Sequence, residues 1–529
     1  MTEPRDPATG GRAGEQPVPG DEGLSREVAA DVRTVAKGGA IQIVGQVTQR
    51  GLSFFFTAVA IQLMGRAGYG VYRVVAQVAG IAAQLGLAGF NYAAMRFITK
   101  ARATGDHPGV RGAARVGIAG ALTGSAVVVV ALLAGAGVLA DRFPGVGESR
   151  PELAALFRLV APYVPLFALL QVLRYCTQAY KTMVPSVVAG NVVQPAIRFV
   201  LGVALLIAGF QAAAALATLM ASVALAALVA GWYFVRMMTP AERAAAPAAP
   251  VGKMVRFALP QGGASLLGVQ SLGLGVLVLG AYSGDVAVTL FAAALSLQGP
   301  GTVFLGGIVN IWAPVVSDLH EKGAIDRLES LYQTINRWIA TFSFPVFAAL
   351  MIVPDLLLGS FFPKAQGAAA AVAILAAGNL FYTGTGPTGY VLSMTGRPGV
   401  NLVNSAAGVA LYLGLGALFV PRHGVAGMAV VDAVVTALVN TARVVEAKIL
   451  VGVQPFGRSF FKPVVATLAG AAALLAWRAI PGDALWLDWT GVALAAVLYF
   501  FVLRLLGVDP EERMVLDRIR ERAFRGRGR

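Results

Sequence analysis

Apolar residues in this chain come in long blocks separated by short polar connections. Fourteen blocks are long enough to cross a bilayer as helices, which takes about 20 mostly apolar residues. They occupy 39–64, 69–98, 113–139, 153–175, 184–208, 212–236, 256–281, 286–314, 333–357, 368–393, 398–420, 425–447, 462–480 and 485–506. The pattern predicts an all-α integral membrane protein with fourteen transmembrane helices.

The blocks repeat. The first ends in "IQLMGRAGYGVYRVVAQVAGI" and the seventh in "LVLGAYSGDVAVTLFAAALSL", each with an apolar helix end, a glycine (Gly65, Gly280), a polar turn and a new apolar helix. The 215-residue offset separates two six-helix halves of the same orientation, a parallel repeat about an axis along the membrane normal. The expected divisions are a disordered cytoplasmic tail (1–36), a first lobe (37–237), an Ala/Pro-rich cytoplasmic linker (238–252), a second lobe (253–450), two C-terminal helices (451–507) and a basic cytoplasmic tail (508–529). Two pseudo-symmetric bundles of this kind enclose a central site and rock against each other for alternating access.

Polar positions inside the blocks fall on helical faces. Gln42, Gln46, Gln49, Arg50, Ser53 and Thr57 share one side of the first helix, and Asn191, Gln194 and Arg198 one side of the fifth. Asn379 and Tyr382 head a stripe on the tenth, and Asn401, Asn404 and Ser405 one on the eleventh. Such faces meet other helices or a wet cavity, and uncharged stripes leave both readings open. Arg50 and Arg198 are sharper signals. An arginine at the bilayer centre costs at least ~2.5–3.5 kcal/mol, and no first-half helix carries a mid-membrane acid to pair with either. The deeply placed acid is Asp432 on the twelfth helix, which either pairs with one arginine or serves as a protonation site for ion coupling. A buried cation left over implies an anionic ligand, and the planar guanidinium fork suits phosphate oxygens. Arg96, Arg174 and Lys181, near cytoplasmic helix ends, are topology anchors or the rim of a cationic vestibule.

Composition agrees with the membrane reading: 57% hydrophobic, 13% charged and mean hydropathy +0.71, where soluble chains are roughly 25% charged. One cysteine and three scattered histidines leave no intramolecular disulfide and no metal-ligand spacing. The net charge of +15 sits in the connections and the C-terminal tail, so it marks topology and not nucleic-acid binding. With the N-terminus inside, inner loops and tails hold thirty-one Lys and Arg against eight outside, which puts both termini in the cytoplasm. The tail "RIRERAFRGRGR" suits anionic lipid headgroups. "GTGPTG" (384–389) imitates a dinucleotide fingerprint but lies within an apolar block, where its Gly and Pro kink or unwind the helix. No catalytic motif and no cofactor is expected. Energy would come from an H⁺ or Na⁺ gradient, the membrane potential or the substrate gradient.

Several stretches resemble the polysaccharide-transporter branch of the multidrug/oligosaccharidyl-lipid/polysaccharide flippase superfamily. "LMGRAGYGVYRV" resembles its L-G-x-x-x-Y-G-x-Y signature, and "GFNYAAMRFITKARATGD" its second-helix exit. "NIWAPVVSDLHEKGAIDRLESLYQTINRW" and "VLSMTGRPGVNLVNSAAGVALYLGLGALFVPRHGVAGMA" are similar to its eighth-helix exit and its tenth to twelfth helices, so the likeness spans roughly 37–450. It implies a V-shaped, two-lobed alternating-access transporter in a bacterial inner membrane. Its cargo would be a polyprenyl-diphosphate-linked glycan, with cavity arginines on the diphosphate. Glycan polymerase and glycosyltransferases are implied partners. Arg50 lies fifteen residues before Gly65, the spacing of a cavity arginine in the similar lipid II flippases, whose second first-helix arginine would fall at Phe56 here. The expected function is an oligosaccharide flippase, not an enzyme. The alternatives are a lipid II flippase, a cation-coupled drug antiporter using Asp432, and a non-transporting scaffold.

Overall fold

The computed structural model describes residues 21–267, 273–480 and 485–507. The first helix, α1 (Asp21–Leu87), already begins inside the tail expected to be disordered; residues 1–20 and the basic tail 508–529 lie outside the described residues. The first half continues with α2 (Phe90–Ala103), α3 (His107–Ala140), α4 (Arg150–Leu159), α5 (Tyr163–Gln178), α6 (Val184–Val187), α7 (Gln194–Ile207) and α8 (Ala212–Met237). After the short α9 (Pro240–Ala244) come α10 (Val251–Leu267), α11 (Leu274–Tyr282), α12 (Gly284–Glu321) and α13 (Ile325–Ile352). The remainder is α14 (Pro354–Phe361), α15 (Ala369–Thr385), α16 (Thr388–Met394), α17 (Pro398–Leu450), α18 (Phe461–Arg478) and α19 (Leu485–Leu505). No strand occurs among the described residues.

Among the described residues, eleven helical segments are long and apolar enough to cross a membrane. Two of them, Ile41–Ala103 and Pro398–Leu450, run to 63 and 53 residues, far beyond the length one crossing of a ~30 Å core needs at 1.5 Å per residue. Both are hairpins. Tyr69 bonds Thr57 across 3.3 Å, and the Phe56 and Tyr72 rings lie 6.2 Å apart, contacts that a straight helix would separate by roughly 18–24 Å. The chain reverses at Gly65, whose φ of 74° and ψ of −179° belong to a region open essentially to glycine alone. In α17 the reversal is at Gly424. Tyr412 there reaches Asp432 at 3.0 Å and Asn404 reaches Glu446 at 2.5 Å.

The corresponding turn of the second half corrects the repeat. The glycine with positive φ is Gly284 (φ 78°), while Gly280 is helical, within α11, packed against Val74 and Phe143. The backbone equivalence is therefore Gly65 with Gly284, 219 residues apart, because conformation and not glycine identity marks the turn. The position matching Arg50 then falls at 269, outside the described residues.

α1 packs along α12, which joins the halves; α15 lies between α13 and α17, and the α18–α19 pair rests on α13. Small residues bring backbones together: a Cβ on Gly70 would come within 2.1 Å of the Asp285 carbonyl oxygen. The Gly65 end of the bundle is closed. Thr289 Oγ1 bonds the Arg66 carbonyl at 2.5 Å, Arg66 Nε the Lys364 carbonyl at 2.5 Å, and Lys364 Nζ the Gln62 carbonyl at 2.6 Å. Phe54 meets Phe361 and Phe362 edge-on, centroids 5.3 Å apart.

The linker between the halves is clamped to the first half. Thr239 and Glu242 form a capping box on α9. Glu242, 3% exposed, pairs with Arg102 at 3.3 Å and accepts from Tyr180 at 3.0 Å, while Arg102 lies 3.8 Å over the Tyr180 ring. Arg111 bonds the Ala245 carbonyl at 2.8 Å. The Ala/Pro-rich linker expected from composition is thus held by one buried carboxylate.

Candidate functional site

Where α1, α7, α12, α15 and α17 meet, a cavity of about 600 Å³ opens among Arg50, Ser53, Thr57, Arg73, Arg198, Thr302, Asn379, Tyr382 and Asp432. The helical spacing of Arg50, Ser53 and Thr57 puts them on the face of α1 that turns toward α12 and the cavity. Arg50 Nη1 donates to Thr302 Oγ1 (2.6 Å) and to the Gly299 carbonyl (3.1 Å) of α12. Among the described residues its hydrogen bonds all run through that one nitrogen, so the guanidinium is anchored without being neutralised.

Arg198 is held differently. Its guanidinium lies 4.4 Å over the Phe56 ring and 5.7 Å over Tyr72, and Nη2 donates to the Tyr72 hydroxyl at 2.5 Å. Desolvated aromatic faces stabilise a cation by roughly 1–2 kcal/mol. The buried Nε has no partner among the described residues. Asp432 does not pair with an arginine: its Oδ1 accepts from Tyr412, and no described ion pair involves a cavity residue. Three arginines and one carboxylate thus line one cavity inside an apolar bundle.

A second cavity, about 640 Å³, lies in the second half between α15, α16 and the two legs of α17. Tyr390, Asn401, Asn404, Ser405, Asn440 and Arg443 supply its polar lining, and Tyr382 lines both cavities. Its floor is the break between α15 and α16, where Gly386 takes φ 67° before Pro387. The backbone groups this break frees are met by α13: Tyr332 bonds the Thr385 carbonyl (3.1 Å) and Thr388 (2.6 Å), and Asn336 the Gly384 carbonyl (2.7 Å). Irregular backbone at membrane depth needs such partners, and "GTGPTG" is a helix break beside a cavity.

The model of the polysaccharide biosynthesis protein family matches residues 35–320. The chain belongs to that family. No curated protein matches it by sequence. Among solved structures, the lipid II flippase MurJ in an inward closed conformation superposes with TM-score 0.71 at 10% identity, covering 88% of this chain and 98% of that one. An inward-facing multidrug resistance MATE family transporter of the MOP superfamily gives 0.63 at 16%, covering 77% and 94%. A MOP superfamily transporter from Pyrococcus furiosus gives 0.54 at 16%, covering 80% and 96%. At these identities the likeness shows the fold. The family and the long apolar helices together make the chain a multi-pass membrane protein of the polysaccharide biosynthesis protein family.

Within this family member the polar stripes divide. Of the residues singled out from sequence, Arg50, Ser53, Thr57, Arg198, Asn379 and Asp432 line the arginine cavity, Asn401, Asn404 and Ser405 the second, and Tyr382 both. Gln49 and Asn191 do not reach either cavity. Asn191 Nδ2 bonds Gln49 at 2.6 Å and its Oδ1 accepts from Arg174 at 2.9 Å, a helix-to-helix polar chain centred on the π-helical turn Val188–Val193. Gln46 faces Gly306 of α12, and Gln194 opens α7 away from both linings. Arg96, Arg174 and Lys181, read as topology anchors or a vestibule rim, line neither cavity. Arg174 is tied down further by Ser186 (3.1–3.2 Å), Arg96 stacks 4.4 Å over Phe257 of α10, and Lys181 is exposed in a turn with φ 58°.

Arg73 and Arg443 lie near the ends of the blocks 69–98 and 425–447, and sequence reasoning counted them with the charges that set topology and not with the site. A signal existed for each. Arg73 sits one turn after Tyr69 on the returning leg of the α1 hairpin, and Asp432, Thr436, Asn440 and Arg443 form a stripe at helical spacing.

Proposed function

We infer that this protein carries a polyprenyl-diphosphate-linked oligosaccharide from the inner to the outer leaflet of a bacterial cytoplasmic membrane by alternating access. The observation that carries the reading is the arginine cavity: Arg50, Arg73 and Arg198 against the single carboxylate of Asp432 among its described lining. Each arginine is costly at membrane depth, and a diphosphate offers the bidentate oxygens that offset that cost. Each long hairpin taken as two crossings supports a count of fourteen, and the bias of Lys and Arg between the connections supports cytoplasmic termini. The closed Gly65 end is then the outer end, and cargo loads from the inside. The neutral amides, hydroxyls and tyrosines of the second cavity suit sugar hydroxyls. An ion gradient or the membrane potential, acting through Asp432, supplies direction; glycosyltransferases and a polymerase act before and after.

Proteoliposomes loaded with a fluorescent polyprenyl-diphosphate oligosaccharide test this. Arg50→Ala and Arg50→Gln should lower flipping at least tenfold at unchanged protein level; full flipping by either sinks the assignment. The fold shared with the lipid II flippase supports a second reading, peptidoglycan precursor as cargo. The same assay with lipid II in place of the oligosaccharide separates the two.

A further inference from the structure

The neutral groups of the second cavity suit sugar hydroxyls, and one charged residue stands among them. Arg443 is the one charged side chain in the described lining, whose other polar groups are tyrosines, amides and serines. A charge that only sets topology sits in a connection or at its edge, whereas Arg443 lines a cavity of about 640 Å³ between helices. The helix dipole does not account for it either. That effect fades within the last turn, and Arg443 stands seven residues before the end of α17.

The guanidinium is anchored at one point only. Nη2 donates to Ser405 Oγ at 3.1 Å, its one described hydrogen bond. Ser405 itself lines the cavity, so the Nη end of the fork, and not the buried Nε, stands at the cavity wall. Gly389 keeps that wall low beside it: an ideal Cβ there would lie 3.7 Å from Arg443 Cζ. The carboxylate close enough to act on Arg443 is Glu446. It lies outside the described lining, accepts from Asn404 at 2.5 Å, and forms no described ion pair with the arginine.

We propose that Arg443 binds the carboxylate of an acidic sugar, so that the glycan carried contains a uronate; this rests on the reading of the cargo as a diphosphate-linked oligosaccharide. A carboxylate takes two parallel N–H bonds from one guanidinium, and Arg443 keeps donors on both Nη atoms. A diphosphate, with its greater charge, meets three arginines on the other side of the Tyr412–Asp432 bond. Arg443 lies eleven residues past Asp432 on the same leg of α17, about 16 Å along the helix. A short oligosaccharide spans that length with its diphosphate in the arginine cavity and an acidic sugar at Arg443. Tyr382, which lines both cavities, lies within electrostatic reach of Arg50 and of Arg443.

The test pairs a glucuronate- and a galacturonate-containing tetrasaccharide each with its carboxyl-reduced form, none of them carrying lipid or phosphate. Calorimetry on the purified full chain in detergent should show an acidic tetrasaccharide bound at least tenfold more tightly than its reduced form. Arg443→Gln should bring that ratio close to one, Arg443→Lys should keep part of it, and Arg50→Gln should leave it in place. No preference for either acidic form in the wild-type protein, or a wild-type ratio in Arg443→Gln, overturns the proposal. Should the glutamine variant fail to fold, Glu446→Gln decides. Removing that carboxylate should raise the ratio at least threefold, and an unchanged ratio overturns the proposal equally. In the flipping assay, with the same glycans on polyprenyl diphosphate, Arg443→Gln should lower the acidic-to-neutral ratio, whereas Arg50→Gln should lower both alike. Equal losses in Arg443→Gln would assign it to the diphosphate or to packing and overturn the proposal. Cargo that is not flipped at all defeats the diphosphate reading, while the lipid-free binding ratio decides this inference by itself.

Discussion

Tyr412 donates a 3.0 Å hydrogen bond to Asp432 from one leg of the α17 hairpin to the other. Tyr412 lines the second cavity and Asp432 the arginine cavity, so this bond and the Tyr382 ring make the wall between them. The wall carries the one described carboxylate in a cavity of three arginines. Asp432→Asn keeps an acceptor for Tyr412 and removes the opposing charge. Inorganic pyrophosphate should then bind about fivefold more tightly by calorimetry, the ~1 kcal/mol of a charge pair in a wet site.

Arg198 owes its position to aromatic faces as much as to hydrogen bonds. Lysine keeps the charge but not the planar fork that stacks and bonds at once. Arg198→Lys should weaken pyrophosphate binding about tenfold with little change in melting temperature, whereas Arg198→Lys in a Tyr72→Phe background should add little. Larger additive losses in the double variant would count against the shared contact.

The linker clamp predicts a stability effect far from the cavities. Glu242→Gln removes the ion pair to a partly exposed Arg102 and should cost about 1–2 kcal/mol, read as a lower melting temperature and faster proteolysis between 238 and 250. Tyr180 adds a pH dependence. Burial, and then its bond to Glu242, raise its pKa above the ordinary tyrosine value. The folded state favours the neutral phenol. The clamp's contribution is therefore complete below about pH 10 and is lost only as pH rises through the raised value. Linker proteolysis should be flat from about pH 6 to 10.

Two glycines of α1 separate backbone need from space. No neighbour stands within 4 Å of a Cβ at either Gly51 or Gly65. Gly51 is ordinary helix, so Gly51→Ala should be neutral or stabilising by up to about 1 kcal/mol. Gly65→Ala must hold φ near 74°, and should cost about 1–3 kcal/mol in thermal unfolding.

Much of the architecture was legible in the chain itself. Long apolar blocks must become helices in a bilayer, because every backbone group has to be satisfied internally. Periodicity then fixes which side of each helix is polar, and so Arg50, Ser53 and Thr57 were bound to share a face. The break at Gly386–Pro387 was readable too, since proline cannot donate and glycine alone tolerates the turn.

What faces each polar side was decided only in three dimensions. Gln49 and Ser53 sit four residues apart on α1, yet Gln49 meets Asn191 while Ser53 meets the cavity. Arg174 and Arg198 are both arginines on first-half helices, one consumed by Ser186 and Asn191, the other stacked beside open space. Arg73 reaches the site only because Gly65 folds α1 back on itself, and Arg443 lines its cavity in the same way through Gly424. A helix specifies its own faces through local spacing. The register and crossing of its neighbours depend on packing between residues hundreds of positions apart, and that packing brought three separate arginines to one cavity.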